Sequence, residues 1–283
     1  MLSRTYTLLL WLFCFALCSA APKVSICVPV YNVEPWLPAA LDSACNQTLQ
    51  DIEIVCVDDG STDGSLAILK SYAGKDPRIM VLENGQNRGT LYSRVRAALA
   101  STGNYVLWLD PDDELFPEIA EKTLAAAQES GADIVFFNAE EVLAEDKWRL
   151  SLYTAKMPTT AVPRDAAEIF TFVKNKKLLW FLWGRIWRGD LTRNVALGQL
   201  NLAANSHVTF REDRLLFYFT AVEAKSYVAL PDVGYRYYRT HGGITTRKNE
   251  ATQKKKRADA DAVRKAIDKS DNPGKKWFLR DLH

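Results

Sequence analysis

The chain has 283 residues, 48% of them hydrophobic, and a formal charge of +2. That is enough apolar material for a substantial core, and it excludes a fibre, a disordered tail and a disulfide-framed miniprotein. The charge is unevenly spread: from Arg247 onward there are 12 Lys or Arg against 6 Asp or Glu, which leaves the remainder acidic. No nucleic-acid partner is expected.

Residues 1–21 read as a separate segment. Arg4 supplies a positive charge, "TYTLLLWLFCFALCSA" carries none, and small residues precede Ala21. This pattern predicts a signal peptide or a short membrane anchor, and with it an address in the secretory pathway, the ER or Golgi lumen, and membrane association. The alternative is a cytoplasmic protein in which this extension is not used. Cys14 and Cys18 fall within the segment; Cys27, Cys45 and Cys56 remain, an odd number that favours free thiols over a disulfide framework.

From Lys23 the elements alternate. "KVSICVPVYN" is a β-branched run closed by a loop, and Leu37, Leu41, Ala44 and Cys45 then recur at helical spacing. "IEIVCV" predicts a second strand with "DDGSTDGS" as its turn, "LAILKSYA" a helix and "RIMVLEN" a third strand. A helix over "TLYSRVRAALAS", a strand over "YVLWLD", a helix over "PEIAEKTLAAAQES" and a strand over "DIVFFNAE" follow. Five strands and four helices in alternation over residues 23–139 predict an α/β fold with a mostly parallel, doubly wound sheet. Ligands of such sheets bind at the carboxyl ends of the strands, where "VYN", "VDDGSTD" and "WLDPDD" all fall. Neither a Walker loop nor a dinucleotide G-x-G-x-x-G is present.

Residues 140–246 are less regular and rich in aromatics, notably "LLWFLWGRIWRGDL", "FREDRLLFYF" and "YRYYRTHGG". Most of these rings are assigned to core, with a sugar-facing wall as the alternative, and "EDRLLFYFTAVEA" predicts a helix. Residues 247–283 predict a basic, solvated helical tail, with a patch for anionic membrane as the alternative.

Asp110, Asp112, Asp113 and Glu114 lie within five positions at a strand end. Carboxylates spaced D-x-D there can converge on one hard divalent cation and leave positions open for substrate oxygens. Two alternatives stand beside this: the acids favour the N-terminus of the following helix, or they form a calcium loop, against which Leu115 occupies the position that needs Gly.

"VSICVPVYNVEPWLPAALDSACNQTLQDIEIVCVDDGSTDGS", "GNYVLWLDPDDEL", "REDRLLFY" and "YRYYRTHGGIT", in that order over about residues 23–247, resemble family 2 glycosyltransferases of the GT-A fold. The resemblance implies inverting transfer of a sugar from a nucleotide diphosphate donor, most often a UDP-sugar, to a glycan, lipid or protein hydroxyl. It also implies Mn²⁺ or Mg²⁺ on the diphosphate. Residues 22–139 would form the nucleotide-sugar half, and 140–246 the acceptor and catalytic-base half. By position, Pro29 and Tyr31 would border the nucleobase. Asp59 would accept a hydrogen bond from the base, with Asp58 sharing the work. Asp110 would approach the ribose or the cation, and Asp112 would be the principal metal ligand. Arg94 matches the family's "ARN" arginine, although Val95 stands where Asn is usual and Ala97 where Gly is usual. Asp213 would be the general base, with Glu212 as its alternative, and His241 would touch the diphosphate or complete the metal shell. A catalytically silent, nucleotide-sugar- or glycan-binding relative acting as a partner subunit is the competing reading.

Overall fold

The computed structural model describes residues 21–144, 147–151, 162–163, 181–239, 249–271, 275 and 279. Strands β1 (Val24–Val30), β2 (Ile52–Asp58), β3 (Ile79–Glu83) and β4 (Tyr105–Trp108) run parallel in the order β3-β2-β1-β4. Helices α1 (Leu37–Cys45), α2 (Ser65–Ala73) and α3 (Thr90–Ala100) connect them. All seven residues of β1 are buried, as befits a parallel strand covered on both faces, and this explains its near-continuous apolar run, interrupted only by Ser25. After β4 come a short β5 (Glu114–Leu115), α4 (Ile119–Ser130) and β6 (Ile134–Ala144). The five strands and four helices expected over residues 23–139 are thus all present, in a mixed, mostly parallel α/β sheet.

The second part of the chain completes the same sheet. β9 (Arg185–Arg188) enters antiparallel between β4 and β6, and β10 (Ser226–Tyr238) lies parallel to β6 with β5 antiparallel on its far side. β7 (Lys147–Ser151) pairs with β6, and β8 (Val162–Pro163) with β10. Helices α5 (Gly189–Asn205), α6 (Glu212–Glu223) and α7 (Glu250–Asp268) pack with α3 on one face, around Val95, Trp108, Trp187 and Phe217. The other face holds α1, α2 and α4 over Ile26, Leu41, Phe137 and Trp183.

Trp183 and Trp187 are core residues, as expected, and Cys27 and Cys56 are buried free thiols. β9 was not expected: its RIWR sequence sets two arginines around two apolar residues, which hides the strand pattern. Arg185 is nevertheless buried, with its guanidinium over the Phe136 and Phe217 rings at 4.9 and 5.0 Å. The tail helix also differs from expectation, because α7 is not merely solvated. It buries Val263 and Ile267 in the core and the carboxylate of Asp259 against Thr209, whose backbone N donates to Asp259 Oδ2 at 2.9 Å.

Candidate active site

The loops after β1 and β2 are laced together at the carboxyl edge of the sheet. Asn32 Oδ1 accepts from Thr62 N at 2.7 Å, Glu34 Oε2 from Gly64 N at 2.7 Å and Asp63 Oδ2 from Glu34 N at 3.1 Å. Asp58 holds the turn that follows it, accepting from Gly60 N at 3.1 Å and Ser61 N at 3.2 Å. Gly60 must be glycine: its φ is 73°, and a Cβ would meet the Gln86 carbonyl carbon at 2.5 Å. Asp59 is buried and fixes the next loop, accepting from Asn84 Nδ2 at 2.7 Å and from Arg88 N and Gly89 N at 2.9 Å. Both carboxylates therefore hold the loops at this edge of the sheet. Pro29 lies within β1, and Tyr31, just beyond it, is 42% exposed.

The acid loop is explained residue by residue. Asp110 Oδ1 accepts from Arg94 Nη2 at 2.8 Å. Asp113 is buried, accepting from Tyr235 Oη and from Tyr238 N, each at 2.8 Å. The Tyr235 hydroxyl also accepts from Asp110 N at 3.1 Å, so a single phenol clamps both ends of the Asp110–Asp113 turn that contains the D-x-D. Glu114 pairs with Arg236 at 3.1 Å and accepts from Tyr238 Oη at 2.8 Å. Asp112 is half-buried, and burial together with the neighbouring Asp110 charge pushes its carboxyl up to about 6. Among the described residues, no group of three or more His, Cys, Asp or Glu side chains is arranged to hold a metal ion. His241 lies outside the described residues.

Glu212 and Asp213 open α6. The residue before them, Arg211, adopts the left-handed conformation at φ 66°, which costs a side-chain-bearing residue on the order of 1 kcal/mol or more. The segment is held in place from two sides: Leu91 N donates to Val208 O at 3.0 Å, and Thr209 is tied to Asp259. Arg94, 5% exposed, connects this segment to the acid loop, since its Nε donates to Glu212 Oε1 at 3.4 Å while its Nη2 reaches Asp110. Burial disfavours the Arg94 charge, but Asp110 and Glu212 more than offset it and hold the group protonated above its usual range. Burial first, then the Asp213 carboxylate, pushes Glu212 up to about 7 against the pull of Arg94. Burial raises Asp213 as well, opposed mainly by Arg94.

The D-x-D acids and the α6 acids, distant in sequence, thus meet across one guanidinium. The profile of glycosyl transferase family 2 matches residues 25–187. The chain belongs to that family. The match includes Arg94, Asp110 and Asp112 and stops short of Glu212 and Asp213.

The uncharacterized glycosyltransferase EpsJ of Bacillus subtilis is 29% identical over 225 residues, 80% of this chain and 63% of that protein. The poly(ribitol-phosphate) beta-glucosyltransferase of Bacillus spizizenii is 40% identical over 115 residues, 40% of this chain and 18% of that protein. The chain thus spans under two thirds of the length of these relatives. In three dimensions, S. aureus TarS residues 1–349 in complex with UDP-GlcNAc is similar with a TM-score of 0.67 at 21% identity, covering 92% of this chain and 71% of that one. This likeness establishes the fold. The relatives correct one expectation. They are bacterial, and bacteria have no ER or Golgi lumen, so the secretory-pathway address read from residues 1–21 is withdrawn. Among the described residues no helix is long and apolar enough to cross a membrane.

Proposed function

We propose that the protein transfers a hexosyl or N-acetylhexosaminyl group, with inversion, from a UDP-sugar to a hydroxyl of a glycan, lipid or protein acceptor. The observation that carries this reading is the buried Arg94 bridge, at 2.8 Å to Asp110 and 3.4 Å to Glu212. An inverting displacement needs a diphosphate-binding face and a proton acceptor on one cleft, and the bridge supports both being there. The relatives' names range over a poly(ribitol-phosphate) beta-glucosyltransferase, a cholesterol galactosyltransferase and a chondroitin synthase, so the acceptor is left at the level of a hydroxyl.

In this reading residues 22–139 bind the donor, with Pro29, Tyr31 and the loop held by Asp58 and Asp59 around the base. Residues 140–246 supply the base and the acceptor side. Asp213, half-buried at the start of α6, takes the proton of the acceptor hydroxyl as the hydroxyl oxygen bonds to the anomeric carbon and the bond to the diphosphate breaks. Glu212 is buried on Arg94 and positions the turn. Asp112 and Asp110 offer two hard oxygen donors, a set that fits Mn²⁺ or Mg²⁺ completed by phosphate oxygens and water. When bound, such an ion neutralises the leaving diphosphate. Asp112 must be ionised to bind it, so donor affinity weakens as the pH falls through about 6.

The test is turnover of UDP-glucose, UDP-galactose and UDP-N-acetylglucosamine with and without Mn²⁺. Metal-dependent release of UDP is expected, and Asp112→Asn should abolish the metal dependence of donor binding. Tight nucleotide-sugar binding with no release under any metal would leave a binding protein in place of a transferase.

A further inference from the structure

Four aromatic rings form a continuous stack beside the acid loop. Tyr235 and Trp183 are parallel at 4.7 Å, Trp183 and Phe181 at 4.5 Å, and Tyr237 lies 5.5 Å from Trp183 and 6.3 Å from Phe181. Its inner members are core: Tyr235 and Trp183 are buried, and Tyr235 clamps the D-x-D turn. Its outer members, Phe181 and Tyr237, are only half-buried. Tyr237 follows Tyr235 by two residues on β10, so both rings project from the same face, with Tyr237 one step nearer the carboxyl end where the acids lie. Its hydroxyl makes no hydrogen bond with any described residue, unlike those of Tyr235 and Tyr238. The surroundings of that hydroxyl are acidic. After burial, the carboxylates of Asp113, Asp110 and Asp112 push it up to about 12, with Arg239 opposing them.

Partly exposed flat rings next to an uncommitted hydroxyl, beside the carboxylates of the acid loop, suit a ligand with apolar C–H faces and hydroxyl edges. We infer that Phe181 and Tyr237 form a pyranose-binding subsite, in which a sugar ring lies against the aromatic pair and one of its hydroxyls pairs with Tyr237 Oη. This deepens the transferase reading and rests on it. The pyranose is either the sugar of the donor or that of the acceptor, and binding measurements separate the two.

The experiment compares wild type with Tyr237→Phe, Tyr237→Ala and Phe181→Ala. Titrations use UDP, UDP-glucose and UDP-N-acetylglucosamine with Mn²⁺, and then methyl β-glucoside, methyl β-N-acetylglucosaminide and chitotriose, read by isothermal titration calorimetry. UDP affinity should stay within about twofold in every variant. If the subsite holds the donor sugar, Tyr237→Ala weakens UDP-sugars about tenfold or more. If it holds the acceptor, the same variant spares UDP-sugars and weakens the free saccharides by a similar factor. Tyr237→Phe, which keeps the ring, should lose about three- to tenfold, the worth of one hydrogen bond. Unchanged affinities for both kinds of sugar overturn the subsite, as does an equal loss for UDP and UDP-sugars, or a saccharide panel that binds neither wild type nor variant while UDP-sugar affinity is unaffected. A wild type that binds saccharides through Tyr237 but releases no UDP would instead overturn the transferase reading and leave the subsite standing.

Discussion

Replacing Glu212 with Gln tests the electrostatics at the start of α6. The native carboxyl is raised from 4.5 to about 7, chiefly by burial and then by Asp213. The folded protein thus holds a proton that the unfolded chain releases between those values. Its contribution to stability is therefore greatest below pH 4.5 and is lost as the pH rises through about 7. At about 1.4 kcal/mol for each tenfold change in proton affinity, this loss amounts to roughly 2 to 3 kcal/mol between pH 5 and pH 8. Glutamine keeps the shape and cannot ionise, so that part of the pH dependence should vanish. Urea unfolding at pH 5 and pH 8 measures it directly: the difference between the two pH values, taken wild type minus Glu212→Gln, should be roughly 2 to 3 kcal/mol. Because Asp213 is adjacent, the pair titrates as a unit and the variant reports the charge of both acids. Identical pH dependence in the two proteins would refute the reasoning and mean that Glu212 is ionised across the range, held so by Arg94.

Asp213→Asn should leave UDP-sugar affinity intact while lowering turnover by about 10² to 10⁴, the range for a lost general base; wild-type rates would assign the base elsewhere. Tyr235→Phe removes the phenol oxygen between Asp110 N and Asp113, and should lower stability by about 1 to 3 kcal/mol in urea titrations. Gly60→Ala combines a positive φ with a Cβ-to-backbone approach of 2.5 Å; a loss of about 2 kcal/mol or more is expected, and a neutral outcome would show that the β2–α2 turn relaxes freely.

The alternation of strands and helices up to residue 139 was readable because each buried strand is an apolar run bounded by turn residues, β1 most plainly. The D-x-D acids were readable for a related reason: like charges crowded at a strand end are costly unless something of opposite sign attends them. What the sequence hid are partners at long range. Tyr235 and Asp113 are 122 positions apart, and nothing local to either marks the bond between them. Arg94 is marked in the sequence only by a motif whose neighbours Val95 and Ala97 depart from the usual pattern; its burial becomes evident only when α3 packs beneath α6. Asp259 sits in a run of charges that reads as a solvated face, yet it is one of the groups that fix the segment leading into Glu212. β9 was concealed by its arginines: Arg185 is accommodated by ring faces supplied from β6 and α6, and Arg188 by the carboxylates of Asp133 and Asp190.

The clamp on the D-x-D turn also fixes an order of events during synthesis. The aspartates leave the ribosome well ahead of the tyrosine that secures them, and the strand that must slip in beside β4 is likewise made late. A nascent chain therefore carries Asp113 and Glu114 without their tyrosine and arginine partners until β10 has been made, while Arg94, already synthesised, is available to Asp110.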